Sequence, residues 1–141
     1  MVPLGVLSAE PVGSRIERLD PALDASLYIA VSDPARPVLM AYDVQDNGSI
    51  ARGRVFFDAT SLAREGKQGL PDGMKVDQRG NIFLGGPGGI LVLNQNGKHL
   101  GTIITGQITA NCAFGGDGST LYMAADTYFM RIKLTTKGEG F

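Results

Sequence analysis

The stretch Gly69-Leu70-Pro71-Asp72-Gly73-Met74-Lys75-Val76-Asp77 places one acidic side chain between a proline and a glycine, directly before a short alternating apolar run. Proline fixes the backbone angle φ and glycine accepts φ values that other residues avoid, so the pattern predicts a rigid loop at the entrance to a β-strand. A carboxylate held there can bind a hard cation or act as a general base. The tripeptide Pro71-Asp72-Gly73 is also common in ordinary turns, so a purely structural role for Asp72 stays open.

The chain around this loop repeats one order of strands and turns. Ten strands are expected, over 27–31, 38–44, 53–58, 73–77, 81–85, 90–94, 98–105, 112–114, 121–125 and 128–134, with one helical turn at 62–65. The middle four strands form a complete antiparallel meander, and the repeat aligns Asp72 with Asn111 at equivalent strand entrances. A spacing of about 40 residues with four short strands per unit is typical of β-propeller blades.

The predicted fold is therefore all-β, with about two and a half to three four-stranded antiparallel blades of a partial β-propeller over residues 26–141. So few blades cannot close a ring, and apolar faces and strand edges would stay exposed. We expect the chain to be a piece of a larger ring or to form a homodimer that completes one. Residues 1–25 carry scattered charges and no sustained period, so they are expected to be irregular.

The composition narrows the possible partners. Lys plus Arg (13) nearly balance Asp plus Glu (14) without a basic cluster, which argues against nucleic acid and anionic membrane surfaces. No run is long enough to span a membrane, and no convincing signal peptide is present, so a soluble, cytoplasmic protein is expected. The single cysteine, Cys112, excludes an internal disulfide. It is expected to be a buried structural thiol, because the one histidine, His99, lies in a different hairpin.

Residues 26–141 resemble the C-terminal part of the sugar lactonase family of gluconolactonase, regucalcin (senescence marker protein) and luciferin-regenerating enzyme. The matching stretches are 27–34, 40–44, 69–77, 85–90 and 110–116. The resemblance implies a six-bladed propeller with a divalent cation, usually calcium, at one end of the central channel. It implies hydrolysis of aldonolactones such as gluconolactone, a small-molecule substrate. It also implies that Asp72 is both the metal ligand and the favoured catalytic base.

The chain departs from the family at two ligands. The family's glutamate ligand comes from a first blade that this sequence does not contain, which indicates a truncated or frame-altered gene product. Its asparagine ligand comes from a Pro-Asn-Gly motif that is absent before the strand 27–31, where only Glu17 lies near the expected position. Calcium takes six to eight oxygen ligands, so Asp72 alone is expected to bind it weakly. We expect a weak or inactive lactone hydrolase as an isolated chain; the alternative is a non-catalytic half-propeller that serves as an assembly or binding module.

Two polar stretches near Asp72 in the repeat each have two interpretations. Asn111 could line the same channel mouth, but its side chain is expected to close a turn by bonding nearby backbone. The Ser32-Asp33-Pro34 stretch is a strand exit that could face the same pocket or form an ordinary turn.

Other conspicuous residues have structural interpretations. Asp77 is expected to be a solvated turn acid, and the glycines of 85–89 a tight turn, because no helix follows to make a phosphate loop. Tyr28, Phe83 and Tyr122 occupy matching places in the three units, so they are expected to be core residues and not a platform for stacking on substrate.

Overall fold

The computed structural model describes residues 26–141, which form three antiparallel sheets. The strands and the one helix, in chain order, are β1 (Ser26–Val31), β2 (Val38–Val44), β3 (Ile50–Asp58), α1 (Thr60–Arg64), β4 (Met74–Val76), β5 (Ile82–Gly86), β6 (Gly89–Leu93), β7 (His99–Ile104), β8 (Thr109–Gly115), β9 (Thr120–Ala125) and β10 (Tyr128–Lys133). The first sheet is β1–β3, the second β4–β7 and the third β8–β10, and each is a meander of consecutive strands. The predictions for residues 1–25, including Glu17, lie outside the described residues.

These sheets confirm the predicted all-β partial propeller, with blades of three, four and three strands. The predicted strand order is right throughout, and the boundaries shift by a few residues. β3 begins at Ile50 and not at residue 53, because a bulge with Arg52 at φ +48° lets the pairing with β2 continue past Gly53. The helix begins two residues earlier than predicted, at Thr60.

The first and second sheets share one apolar core. Its buried side chains come from β2, α1, β4, β5 and β6 and are Leu39, Leu62, Met74, Val76, Ile82, Leu84, Leu91 and Leu93. Aromatic and small residues of β1 and β3 pack against them. β5 and β6 are the most buried strands because both of their faces are covered, which is why they read as continuous apolar runs instead of alternating ones. Burying each such Leu or Ile contributes about 1.5–3 kcal/mol.

A second core joins the second and third sheets. Phe83 and Ile90 of the second sheet pack against Cys112, Leu121 and Met123 of the third. The rings of Phe83 and Phe114 meet edge to face with centroids 5.3 Å apart. The inner strand β8 contacts both β4 and β5, so the inner ends of two neighbouring sheets meet at one place.

The segment after β10 ties the second and third sheets together at the C-terminal end of β4, the end opposite to Asp72. Leu134 N donates to Ser119 O at 2.8 Å, and Glu139 N donates to Val76 O at 2.9 Å. Gly138 pairs with Asp77 across a β-bridge. A Cβ on Gly138 would lie 2.4 Å from the Phe114 ring, so only glycine fits there.

Candidate functional site

Asp72 stands at the N-terminal end of β4, with its side chain exposed between the buried residues Pro71 and Gly73. Its backbone is held by two sheets. Asp72 N donates to Gly85 O at 3.0 Å, and Gly85 N donates back to Gly73 O at 2.8 Å, within the second sheet. Gly73 N donates to Ala110 O of the third sheet at 2.8 Å. The turn is therefore fixed through its main chain, which leaves the carboxylate in solvent.

Glycines allow the close approaches that this turn needs. Gly69 has φ +108°, and a Cβ there would lie 2.7 Å from Gly86 O. At Gly73 a Cβ would lie 2.2 Å from Cγ and Oδ1 of Asn111. The Asn111 side chain thus rests directly on the backbone of the residue after Asp72. The predicted rigid loop at a strand entrance is present. Steric clashes with a Cβ explain why glycine stands at both 69 and 73.

Three sheets meet around this turn. Ser32, just after β1, donates its hydroxyl to Pro71 O. Asn111 comes from β8, next to a register shift in its pairing with β9. The structure therefore brings Ser32, Asp72 and Asn111, predicted from three different repeats, to one end of the inner strands.

The hydrogen bonds of the neighbours of Asp72 are mostly local. Asn111 Oδ1 accepts from Cys112 N at 2.8 Å, so this side chain closes on nearby backbone as expected. Asp33 Oδ1 accepts from Ala35 N at 2.8 Å, and Arg36 N donates to Asp33 O at 3.0 Å. Asp33 is therefore a turn-forming residue, while Ser32 is the one that reaches the Asp72 loop.

The residues at this place do not make a calcium site by themselves. Calcium takes six to eight oxygens, and Asp72 supplies a single carboxylate, while the Asn111 oxygen is already an acceptor. Within 26–141 no group of three or more His, Cys, Asp or Glu side chains is arranged to hold a metal ion. A single carboxylate could at most be one ligand of a larger set.

The prediction that Asp77 is a solvated turn acid is wrong. Asp77 is fully buried at the other end of β4. Its Oδ1 accepts from Arg79 N at 2.9 Å and Asn81 N at 2.8 Å, and its Oδ2 accepts from Asn81 Nδ2 at 2.9 Å. It does sit in the hairpin, but the C-terminal segment around Gly138 covers it.

Cys112 is the buried structural thiol that was predicted. The sulfur donates to Phe83 O at 3.4 Å, and burial raises the pKa of the thiol to about 11. The thiolate is the nucleophilic form, so Cys112 is inert at neutral pH. His99 lies on β7, with Nε2 3.1 Å from Thr102 Oγ1, and is not a partner of the thiol.

The glycine-rich stretch is a tight turn, as predicted. Gly86 pairs with Gly89, and Pro87 and Gly88 form the two-residue connection between β5 and β6. Gly88 has φ +94°, a value that favours glycine, and its N–H donates to Gln68 O at 2.8 Å. The turn thereby anchors the loop that leads to Asp72.

The three matching aromatic residues do not share one environment. Phe83 is buried, and Tyr28 packs against the first core, as expected. Tyr122 instead lines an open cavity of about 370 Å³, where its ring stacks on Phe129 at 5.6 Å. Tyr122 is a core residue only if something else covers that face.

Lys75 lines the same cavity and was not singled out by sequence reasoning. It lies in β4 between the buried residues Met74 and Val76. A lone charged residue in an apolar inner strand was the available signal. Its Nζ donates to Met74 O at 3.0 Å, so the ammonium group is kept beside the backbone of β4.

Residues 26–141 contain no helix that is long and apolar enough to cross a membrane.

Comparison with known proteins gives consistent matches. The family model described as "SMP-30/Gluconolactonase/LRE-like region" matches residues 23–127. A gluconolactonase from Zymomonas mobilis is 36% identical over 82% of this chain. The solved structure of a gluconolactonase from Xanthomonas campestris is 26% identical over 77% of the chain, with a TM-score of 0.66.

A third relative shares the fold at lower identity. The solved structure of a calcium-binding protein, regucalcin, from Agrobacterium tumefaciens is 21% identical over 82% of the chain, with a TM-score of 0.60. The matched part of this chain spans 33% of the Zymomonas protein, 34% of the Xanthomonas one and 43% of the Agrobacterium one. The chain thus corresponds to less than half of each relative.

Proposed function

This chain belongs to the SMP-30/gluconolactonase/LRE-like family, and from that premise we propose that it is the C-terminal part of a sugar lactone hydrolase in which Asp72 carries the chemistry. The observation that carries the proposal is the Asp72 turn. Its backbone is fixed by two sheets, its side chain is exposed, and residues from three sheets surround it. A structural turn acid would have its carboxylate bonded, as Asp77 does.

The reaction proposed for Asp72 is ring opening of an aldonolactone by water. The exposed carboxylate accepts a proton as the water oxygen adds to the lactone carbonyl carbon. The ester C–O bond of the ring then breaks, and the ring oxygen takes up a proton to become a hydroxyl group of the open sugar acid. The rigid main chain around Asp72 keeps the base in one position, which lowers the entropy cost of proton transfer.

Calcium is proposed as the metal of the complete site, with Asp72 as one of its oxygen ligands. The support is the regucalcin relative, which is called a calcium-binding protein. Because Asp72 is the single carboxylate at this turn, we expect calcium binding to this chain alone to be as weak as, or weaker than, that of the weakest calcium modules, whose Kd is about 10⁻⁴ to 10⁻³ M. Isothermal titration calorimetry that found tight stoichiometric binding would contradict this.

The test of activity is gluconolactone hydrolysis by wild type, Asp72→Asn and Asp126→Asn, with and without calcium. Asp126 is a matched control, since its exposed carboxylate lies in the β9–β10 hairpin with φ +53°, where asparagine is well tolerated. Calcium-stimulated turnover that Asp72→Asn removes and Asp126→Asn keeps supports the proposal.

The second candidate function is a non-catalytic half-propeller that serves as an assembly or binding module. The open apolar face around Tyr122 and Phe129 favours it, because such faces mark interaction sites. Hydrolysis at the spontaneous rate with wild type and both variants would favour this function over the lactonase.

A further inference from the structure

Lys75 is the charged residue of the inner strand β4, and its side chain leaves the apolar core that its two neighbours enter. Met74 and Val76 are buried in the core shared with the first sheet. Lys75 pairs in register with Phe83, which packs against the third sheet. Since successive residues of a strand face opposite ways, the Lys75 side chain enters the space between the second and third sheets. Both walls of that space belong to the described part of the chain.

The Lys75 ammonium group has no acidic partner among residues 26–141. It is half-buried, and its Nζ donates only to the main-chain oxygen of Met74, at 3.0 Å. The ion pairs of this region join other basic side chains to Asp43, Glu65 and Asp117. A charge that is partly removed from water costs free energy unless an opposite charge or hydrogen bonds compensate it. An ammonium group has three N–H donors, so two remain for an anion.

Asn111 supplies a second donor to the same cavity. Its Oδ1 accepts from Cys112 N at 2.8 Å, which fixes the amide and leaves the Nδ2 hydrogens without an acceptor among the described contacts. The amide rests against Gly73, the residue after Asp72. Lys75 and Asn111 both line the cavity of about 370 Å³, and the described residues that line it include no acid. The inner strands β4 and β8 therefore bring a positive charge and a neutral donor to one cavity without a negative charge.

We propose that Lys75 and Asn111 form an anion site for the carboxylate of an aldonate, the sugar acid that lactone hydrolysis releases. Lys75 donates charge-assisted hydrogen bonds to the carboxylate, and the Asn111 amide donates another. The choice of an aldonate rests on the proposed function, because opening an aldonolactone converts an ester into a carboxylate. Lys75 lies about 10 Å along the extended chain from Asp72, so the anion site is close to the turn that holds the proposed base.

The proposed site distinguishes product from substrate. The lactone is neutral, whereas the aldonate carries a negative charge that the half-buried ammonium group attracts. The site therefore binds the product more tightly than the substrate, and the aldonate is an inhibitor of the chain that makes it.

The test is a titration of the full chain with sodium gluconate, followed by the shifts of the Lys75, Asn111 and Cys112 amides in two-dimensional NMR spectra. One charge-assisted hydrogen bond and one neutral one imply a Kd on the order of 1–10 mM. Added salt should weaken the binding, because it screens charges that are partly exposed. Glucose has the hydroxyl groups without the carboxylate and should leave these amides unshifted.

Three substitutions test the two donors. Lys75→Met removes the charge and keeps a long side chain, so the Kd for gluconate should rise by about tenfold or more. Asn111→Asp keeps the oxygen that accepts from Cys112 N but replaces the donor by a carboxylate oxygen, so binding should weaken as well. Lys75→Arg keeps the charge and should retain most of the affinity, which distinguishes a lost anion contact from a disturbed strand.

Lys98→Met is the matched control, since it makes the same change of charge as Lys75→Met. Lys98 is exposed in the β6–β7 hairpin, at the end of the second sheet opposite to Asp72. Its Kd for gluconate should equal that of wild type, and circular dichroism should show all four variants folded.

Several outcomes would overturn the proposal. They are the absence of amide shifts at gluconate concentrations well above the expected Kd, shifts of equal size with glucose, and equal weakening by Lys98→Met. Retained binding in Lys75→Met would show that the ammonium group is not the anchor.

Asp72→Asn separates this proposal from the proposed function, since it should abolish hydrolysis and keep gluconate binding. Gluconate binding that depends on Lys75, in a chain without turnover, would support the anion site while the lactonase proposal fails. Turnover without gluconate binding would refute the anion site alone.

Discussion

Asp72 and Asp77 lie at opposite ends of β4, separated by ~16 Å of extended chain, and the structure uses their carboxylates in opposite ways. At the Asp72 end the main chain makes the hydrogen bonds and the carboxylate is exposed. At the Asp77 end the carboxylate itself accepts three hydrogen bonds and is fully buried. The carboxylate at the Asp77 end of β4 therefore has a structural role, and the carboxylate at the Asp72 end has none among the described contacts.

The difference shows where this fold can hold a reactive group. A carboxylate that is needed to satisfy buried N–H groups cannot also bind a ligand without unpairing them. The Asp72 carboxylate accepts no such bond among the described contacts, because the main-chain oxygens of Gly85 and Ala110 accept the N–H groups of the turn. The end of β4 near Asp72 is therefore the end at which a carboxylate can bind a ligand without unpairing buried N–H groups.

The largest effect is expected from Asp77→Ala. The substitution leaves two backbone N–H groups and the Asn81 amide without their buried acceptor, so the free energy of unfolding should fall by about 3 kcal/mol. Urea denaturation followed by circular dichroism measures this. Asp77→Asn is the control, because its remaining oxygen can still accept, and its loss should be smaller.

A loss of stability below about 0.5 kcal/mol in Asp77→Ala, the range of ordinary surface substitutions, would contradict the structural role of the Asp77 carboxylate. It would mean that water or a shifted Asn81 replaces the carboxylate easily.

A smaller, pH-dependent effect is expected from Cys112, which is buried like Asp77 and whose thiol donates a weak hydrogen bond to Phe83 O. Its pKa is about 11 in the fold, against an ordinary 9.0. Because the folded pKa is raised, the stability it contributes is present below pH 9 and is lost as the pH rises toward 11. The loss should be on the order of 2 kcal/mol.

Urea unfolding at several pH values from 8 to 11, for wild type and Cys112→Ala, isolates this effect from the titration of tyrosines. The wild type should lose more stability over the window than the variant. Equal slopes for both proteins would show that the thiol ionises freely and that the site is more open than its burial indicates.

Much of the fold could be predicted because local sequence patterns determine it. Strand alternation, turn glycines and the repeat gave all three sheets, and the Pro71-Asp72-Gly73 turn pointed to the strand entrance. The alignment of repeats placed Asn111 at the strand entrance that matches Asp72, and the Ser32-Asp33-Pro34 strand exit was left open between the same pocket and an ordinary turn. These features depend on residues close together in sequence or related by the repeat.

What could not be predicted depends on contacts between distant parts of the chain. Asp77 reads as a solvated turn acid because the segment that covers it, around Gly138, is 61 residues away. Tyr122 reads as core because its matching residues are core, yet within residues 26–141 it lines an open cavity. Burial of single side chains is decided by tertiary packing.

The smallest effect on stability is expected from Asp72→Ala. Its free energy of unfolding, measured beside wild type, tests most directly whether the Asp72 carboxylate has no structural role. Since the main chain holds the turn, the change should stay within about 0.5 kcal/mol, as for a surface substitution. A loss of about 2 kcal/mol or more, the size seen when a needed buried acceptor is removed, would contradict it. Asp72 would then be a turn-forming residue like Asp77, and the end of β4 that we assign to chemistry would be structural.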